Sequence, residues 1–304
     1  MRARIELFRN SPADPSARPA CPSKFQRSRE CRESGLSKDR NERGKRIGYA
    51  FGKSLITYVL LIYVHGLYAI TQTQLRDIGN KIWKNESHNS MELLTFWNQN
   101  EAFPSLGIGH CIWFPANCIA PYVQTFPALL LLFKKQGVRL PTWLAAATVC
   151  PWPTRVSFYA PENKQQLAEL RDLLANTIDL QAQFMIDRVR SALPKIIEAA
   201  HVDKRCHVKS CFNSIIKAPQ GLYALVDYVN FKGDGTNEKE RYAGYGWGLL
   251  QVLEGMEGTN ANPIEAFVLS ARAMLERRVT HAVRQDVERR ALIGWINRIN
   301  TYKQ

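Results

Sequence analysis

The fold around Glu86 is set by two neighbouring stretches of sequence. The first is KIWKNES, from Lys81 to Ser87, and the second is FPSLGIGH, from Phe103 to His110. Apolar residues ahead of and within the first stretch recur at helical spacing and predict a helix from about Gln74 to Glu86. Glu86 lies four residues beyond Ile82, so its carboxyl group should project from the inward face of that helix and be partly desolvated. The sequence therefore places a shielded acid shortly before a glycine-spaced turn.

The chain that follows the turn is mainly helical in pattern. Residues 98–121 predict irregular or short-strand structure, and helical periodicity returns between 167 and 197, where Pro194 should kink or end a helix. A further helix is predicted from about Ser214 to Asn230, with Gly233 and Gly235 as its stop. Three helical segments then follow, GWGLLQVLEGM, PIEAFVLSARAMLERRV and AVRQDVERRALIGWINRI. These patterns predict an α+β fold that is mainly α, with a small irregular or β lobe.

The N-terminal residues should lie outside the folded domain. Residues 1–50 are basic, rich in Ser, Pro and Arg, and without apolar periodicity, which predicts a disordered leader, or alternatively a nucleic-acid-binding arm. Residues 51–72 follow a basic cluster and are almost uncharged, which is typical of a signal peptide or signal anchor, with a buried helix as the alternative. The folded domain should then span residues 73–304, in a protein that is periplasmic or secreted, or anchored to the inner membrane through residues 51–72.

Charge and cysteine content limit the partners and cofactors. The net charge of +14 suits an anionic polymer, either nucleic acid or bacterial cell wall, and the charge alone does not choose between them. Cys206 and Cys211 could form a local disulfide or, with His207, half of a metal site. No second cluster has ligand spacing, so we expect neither a metal nor another cofactor.

The helix ending in Glu86 and the turn SLGIGH, Ser105 to His110, resemble the phage-type lysozymes (endolysins), in which a glutamate closes the first helix and a TIGIGH-like turn follows. The later segments ALVDYVNFKGDGT, GWGLLQVL, IEAFVLSA and GWINRI keep the family's order. The resemblance covers roughly residues 74–302 and implies a two-lobe, lysozyme-like domain enlarged by a helical insertion at about 120–215. It also implies a glycosidase that cleaves the β-1,4 amino-sugar backbone of peptidoglycan, and we expect a monomer.

The resemblance assigns roles to the residues of the two stretches. Glu86 would be the general acid, since glycoside cleavage needs a carboxyl group kept protonated, and apolar surroundings raise the pKa of such a group. Ser105 stands where the family has a threonine that faces the substrate and helps to hold the attacking water. His110 would hydrogen-bond the turn to its lobe, with general base as the sharper alternative. Gly107 permits the tight backbone.

Three further residues are candidates for substrate binding. Trp97 could stack on a sugar face, although a place in the core is the plainer interpretation. Tyr245 and Gln251 lie in and just after a glycine-rich loop that opens a helix, and they would contact the substrate if that helix end faces the cleft. Helix capping and packing are the alternative for this loop.

The second catalytic carboxylate departs from the family pattern. The family's aspartate position is Gln99 here, and Glu101 is the nearest candidate, in a loop four residues longer than usual; a solvated loop charge is the alternative. Without a second acid, a single-glutamate route as in lytic transglycosylases remains open. A catalytically silent cell-wall-binding protein is another alternative, whereas the export signal argues against a nucleic-acid-binding protein.

Overall fold

The structure, a computed structural model, describes residues 70–116, 118, 123–258 and 262–304. The predicted leader and nearly all of the predicted export segment, residues 1–69, lie outside the described residues. The described residues from Thr71 to Gln304 belong to one compact unit. Within the described ranges, no helix is both long enough and apolar enough to cross a lipid bilayer.

Helices make up most of the described chain, as the apolar periodicity predicts. In chain order they are α1 (Gln72–Ser87), α2 (Phe126–Lys135), α3 (Thr142–Ala146), α4 (Arg155–Phe158), α5 (Lys164–Ala175), α6 (Ile178–Ala199), α7 (Arg205–Lys217), α8 (Gly221–Lys232), α9 (Leu249–Glu254), α10 (Pro263–His281) and α11 (Gln285–Asn300). Short 3-10 helices occupy Glu92–Leu94, Pro161–Asn163, Val202–Lys204 and Thr301–Lys303.

A small antiparallel sheet lies between α1 and α2 in the chain. Its strands are β1 (Thr95–Phe96), β2 (Ser105–Leu106) and β3 (Cys111–Ile112), in the order β1-β2-β3. Phe96 pairs with Ser105, and Ser105 pairs with Ile112. The predicted α+β class, mainly α with a small β lobe, is therefore confirmed.

The core is built where the helices pack on one another. Helix α1 packs along α6, α8 packs against α6 and α7, and α10 packs against α11. Helix α5 contacts β1, which joins the sheet to the helical body. Helices α2 to α7 all lie within or at the edge of the segment interpreted as an insertion, residues 120–215, and one of them, α6, is the helix that packs along α1.

The helix predicted from Ser214 to Asn230 is in fact two helices. Helix α7 ends at Lys217 and α8 begins at Gly221. Ala218, which precedes Pro219, is extended at φ −77° and ψ 150°, because the proline ring disfavours helical geometry in the residue before it.

Pro194 does not end its helix, so of the two predicted outcomes, a kink or an end, the end is wrong. Helix α6 continues to Ala199, and the turn beyond the proline is held by Ile196, which is fully buried. The predicted stop at Gly233 is confirmed: this residue ends α8 with a φ of 82°, a backbone conformation that glycine adopts without steric cost.

Candidate functional site

Helix α1 carries Glu86 into the interior. Thr71 begins the helix with a capping box in which Gln74 returns the hydrogen bond. Ile78, Ile82 and Glu86 follow at intervals of four residues and share the buried face of the helix. Only 2% of Glu86 is exposed, so the predicted desolvation of this acid is confirmed.

Three elements distant in sequence supply polar contacts to the Glu86 carboxyl group. Its Oε1 accepts hydrogen bonds from Nδ2 of Asn230 on α8 at 3.0 Å and from Nη2 of Arg298 on α11 at 2.7 Å. Its Oε2 lies 3.4 Å from Nδ1 of His110, at the end of the SLGIGH turn. The acid therefore joins the turn to two helices of the C-terminal part of the chain.

Arg298 is shared between Glu86 and a second buried carboxylate, Asp227 on α8. The Arg298 Nε and Nη2 atoms donate to the two Asp227 oxygens, each at 2.8 Å, and the Tyr302 hydroxyl donates to Asp227 at 2.6 Å. Burial works against the charge of Arg298, but Asp227 and Glu86 outweigh it and hold the pKa of the guanidinium well above its ordinary value. Arg298 is therefore a permanent cation in this site.

The three groups do not balance in charge when both acids are ionised. The Glu86 and Asp227 oxygens that contact Arg298 lie 2.7 and 2.8 Å from the same nitrogen, so they cannot be more than about 5.5 Å apart. Two carboxylates at this separation resist simultaneous ionisation, because each anion raises the cost of the other.

The glycine turn is fixed to α6 by Gln181. The Gln181 Oε1 accepts a hydrogen bond from the Ile108 N–H at 2.9 Å, and its Nε2 donates to the Leu174 carbonyl at 2.6 Å. Gly107 has a φ of 74°, and a Cβ atom there would overlap Gln181 Oε1. Both the backbone conformation and the close approach therefore require glycine at this position, as the sequence predicts.

His110 ends the turn in an unusual conformation. Its φ is 51°, in the left-handed region that few residues other than glycine adopt, and its N–H donates to the Gly107 carbonyl at 3.2 Å. The side chain is buried, with Nδ1 directed at Glu86. This geometry places the imidazole against the acid.

Ser105 and Glu101 lie on the chain segment that leads into the turn. Ser105 is half-buried in the central strand of the sheet, two residues before Gly107. Glu101 is half-buried in the loop between β1 and β2, where its N–H donates to the Asn98 carbonyl and its own carbonyl accepts from the Trp97 indole. The structure thus places both residues in the small β lobe.

The three candidates for substrate binding differ in exposure. Trp97 is a core residue, 2% exposed, with its ring edge-on to Phe158. Gln251 caps α9: its Oε1 accepts from the Gly248 N–H and its Nε2 donates to the Gly235 carbonyl, each at 3.0 Å. Tyr245 is 47% exposed and stacks on His281, with ring centres 4.6 Å apart. Of the three, only Tyr245 is open to solvent, and the plainer interpretations hold for Trp97 and Gln251.

The cysteine motif forms no disulfide. Cys206 is exposed and free, and Cys211 is buried with its sulfur 3.4 Å from Nε2 of His207. Within the described ranges, His, Cys, Asp and Glu side chains form no group of three that could hold a metal ion.

Sequence reasoning missed Arg298, Asp227 and Asn230. A signal for two of them was present: Asp227 and Asn230 interrupt the apolar segment ALVDYVNF three residues apart, and so share one face of α8. An acid and an amide inside an apolar helix need polar partners. Arg298 in GWINRI gave no comparable signal.

The chain matches no protein family model, no curated protein and no solved structure. Glu86 and the side chains around it are the strongest chemical clue to what the protein does.

Proposed function

We propose that the protein is a glycosidase that cleaves the β-1,4 amino-sugar backbone of peptidoglycan, with Glu86 as its general acid. The observation that carries this proposal is the shielded Glu86 carboxyl group, which contacts the glycine turn through His110 and shares the single guanidinium of Arg298 with Asp227. Glycoside cleavage needs an acid that is protonated before the reaction and stable as an anion afterwards. Burial of Glu86 favours the protonated acid, and hydrogen bonds from Asn230 and Arg298 stabilise the anion that forms afterwards.

The two oxygens of Glu86 have different tasks in this mechanism. Oε1 accepts from Asn230 and Arg298, and neither donor has a lone pair to receive a proton in return. The transferable proton therefore resides on Oε2, the oxygen that faces His110. Once the proton has passed to the leaving sugar oxygen, the Arg298 guanidinium and the Asn230 amide stabilise the new carboxylate.

Substrate must reach Oε2 for this transfer to occur. Since Glu86 is 2% exposed, binding has to displace one of its partners. Among the described residues, His110 makes the longest contact with Glu86, at 3.4 Å, and its strained backbone belongs to the turn, so we expect His110 to move. A sugar oxygen then replaces the imidazole against the acid.

The order of structural elements supports a lysozyme-like, two-lobe domain. A helix that ends in a glutamate leads into a small antiparallel sheet, the Ser105 to His110 turn follows, and helices form the remainder. In the phage-type lysozymes this order accompanies cleavage of peptidoglycan. On the same basis Ser105 would hold the attacking water, since a hydroxyl group both donates and accepts.

The identity of the second catalytic group decides between hydrolase and transglycosylase. Asp227 is close to Glu86, but it is fully buried and both of its oxygens already accept from Arg298, so it cannot activate a water on the substrate. Glu101 remains the candidate base, from the loop between β1 and β2. If Glu101 has no part, the sugar's own acetamido or hydroxyl group assists Glu86.

The proposed setting follows from the sequence. Residues 51–72 would direct the protein to the periplasm or the outside of the cell, where peptidoglycan lies, with transient membrane contact. The basic net charge of +14 suits association with an anionic wall. We expect the protein to act as a monomer without a cofactor.

Mass spectrometry of the products from purified peptidoglycan tests this proposal. Wild type and Glu101→Gln are each incubated with the murein, and the released sugars are examined for reducing or anhydro ends. Reducing ends that disappear with Glu101→Gln support a two-carboxylate hydrolase, and anhydro ends from both proteins support the single-glutamate route. Murein that is bound but not cleaved by the wild type, across a pH series, contradicts the proposal and favours the silent wall-binding protein.

A further inference from the structure

Two buried carboxylates compete for one nitrogen atom, Nη2 of Arg298. Glu86 contacts it at 2.7 Å and Asp227 at 2.8 Å. Asp227 also accepts from Arg298 Nε at 2.8 Å and from the Tyr302 hydroxyl at 2.6 Å, so its ionised form has the bidentate pairing that guanidinium groups favour. Glu86 has only one bond to the same cation. Asp227 therefore takes the larger share of the Arg298 charge.

We propose that Asp227 is a positioning residue that keeps Glu86 protonated by engaging the guanidinium of Arg298. This inference rests on the proposed function, in which Glu86 must be a neutral acid before the reaction. With Asp227 ionised, the pair with Arg298 has no net charge, and an ionised Glu86 would place a second anion within about 5.5 Å of Asp227. Loss of the Asp227 charge would leave Arg298 to Glu86 alone.

The other polar groups of this site leave the direction of the effect unchanged. The titratable and charged groups that face Glu86 or its partners are Asp227 and Tyr223 on α8, Arg298 on α11, Tyr302 after α11, and His110 in the turn. Burial, and next Asp227, raise the pKa of Tyr223 to about 12, and the same two causes raise the pKa of Tyr302 well above its usual value. Both tyrosines are therefore neutral wherever Glu86 titrates.

Asp227→Asn removes the charge and keeps the shape of the side chain. In this variant the negative charge of an ionised Glu86 is paired with the positive charge of Arg298 and no longer competes with Asp227. Glu86 should therefore ionise at lower pH than in the wild type. An opposite charge within about 4 to 6 Å moves a carboxyl pKa by roughly one to three units. We expect the titration of Glu86, and the alkaline limb of any pH-activity profile, to move to lower pH by about one unit or more.

A second group of one buried arginine, one buried carboxylate and one tyrosine serves as the matched control. Arg278 pairs with Glu288 through two bonds of 2.7 and 2.9 Å, and the Tyr242 hydroxyl donates to Glu288 at 3.1 Å. None of these three residues contacts Glu86 in the described structure. Glu288→Gln should therefore lower stability much as Asp227→Asn does, without moving the titration of Glu86.

The test is a carboxyl carbon NMR titration of the full chain, labelled with carbon-13 at Glu and Asp side chains. The Glu86 signal is identified by its absence in Glu86→Gln, and the wild type, Asp227→Asn and Glu288→Gln are compared. A shift to lower pH in Asp227→Asn alone supports the inference, even if murein is not cleaved, in which case only the proposed function fails. No shift in Asp227→Asn, or an equal shift in Glu288→Gln, overturns it.

A second variant keeps the test decisive if Asp227→Asn does not fold. Tyr302→Phe removes a hydroxyl whose hydrogen, a partial positive charge, points at Asp227. The site becomes more negative, so Glu86 should titrate at the same or a higher pH. A shift of Glu86 to lower pH in Tyr302→Phe contradicts the inference.

Discussion

Nη2 of Arg298 lies 2.7 Å from Oε1 of Glu86, although the two residues are 212 positions apart in the chain. The bond joins the first described helix to the last one, across the interior of the domain. Because Arg298 also pairs with Asp227, one cation contacts two buried carboxyl groups. The stability of the domain should therefore depend on this single arginine.

Arg298→Met tests that dependence. The buried Asp227 carboxylate loses its paired cation and Glu86 loses a hydrogen-bond donor, and breaking a buried pair by removing one partner typically costs about 3 to 5 kcal/mol. Urea unfolding at neutral pH measures the loss, which should shrink as acid protonates the carboxylate. The exposed pair of Arg290 with Asp286 gives the control, since surface pairs contribute below about 1 kcal/mol and Arg290→Met should be nearly neutral. Equal losses in the two variants would contradict the account.

Gly107→Ala should weaken the domain more than Gly137→Ala does. Both glycines have a φ near 70°, so each substitution imposes the same backbone penalty of about 1 to 2 kcal/mol. A Cβ at position 137 meets nothing within 4 Å, whereas at position 107 it overlaps Gln181 and should disrupt the bond from Gln181 to Ile108. We expect an additional loss of about 1 to 3 kcal/mol from overpacking in Gly107→Ala, measured by urea unfolding. Similar losses would mean that Gln181 does not hold the turn.

Alkaline pH should destabilise the domain through its buried tyrosines. Burial, and next Asp227, raise the pKa of Tyr223 from 10.0 to about 12, so folding favours the neutral phenol. The resulting stability is complete below about pH 10 and is lost as pH rises towards 12, on the order of 2 kcal/mol for this residue. Urea unfolding at pH 9 and 11.5 should show a smaller decline in Tyr223→Phe than in the wild type.

Cysteine alkylation should separate Cys206 from Cys150. Cys206 is exposed, whereas Cys150 is buried and burial raises its pKa to about 12, which leaves almost no reactive thiolate near neutral pH. Iodoacetamide at pH 8 should label Cys206 quickly and Cys150 only after unfolding in urea, as peptide mass spectrometry will report. Rapid labelling of Cys150 in the folded protein would mean that the segment around it opens readily.

The local part of this site could be predicted from the sequence. Helical spacing placed Glu86 on the buried face of α1, and the glycine pattern placed a tight turn soon after it, because both features are set by neighbouring residues. The break between α7 and α8 was also predictable, since Pro219 signals it. Apolar periodicity continues across Ala218 and Pro219 and predicts one helix, but the proline restricts the backbone of the residue before it and so separates two helices.

The long-range part could not be predicted from these patterns. Arg298 and Asp227 each resemble an ordinary charge on an amphipathic helix, and periodicity says which face of a helix is buried without saying which helix lies opposite. The contact of Gln181 with the glycine turn could not be predicted for the same reason. Gln181 lies in the segment interpreted as an insertion, far in sequence from the turn that its side chain fixes. Such partners follow from tertiary packing, which the spacing of residues along one element does not specify.

The most direct test of the central claim is the rate at which Glu86→Gln releases soluble fragments from purified murein, compared with the wild type and with Glu288→Gln. Circular dichroism and thermal melting first establish that all three proteins are folded. If Glu86 is the general acid, the wild type and Glu288→Gln release fragments, and Glu86→Gln loses about 100-fold or more, the usual contribution of a general acid. Release by Glu86→Gln at the wild-type rate would contradict this role.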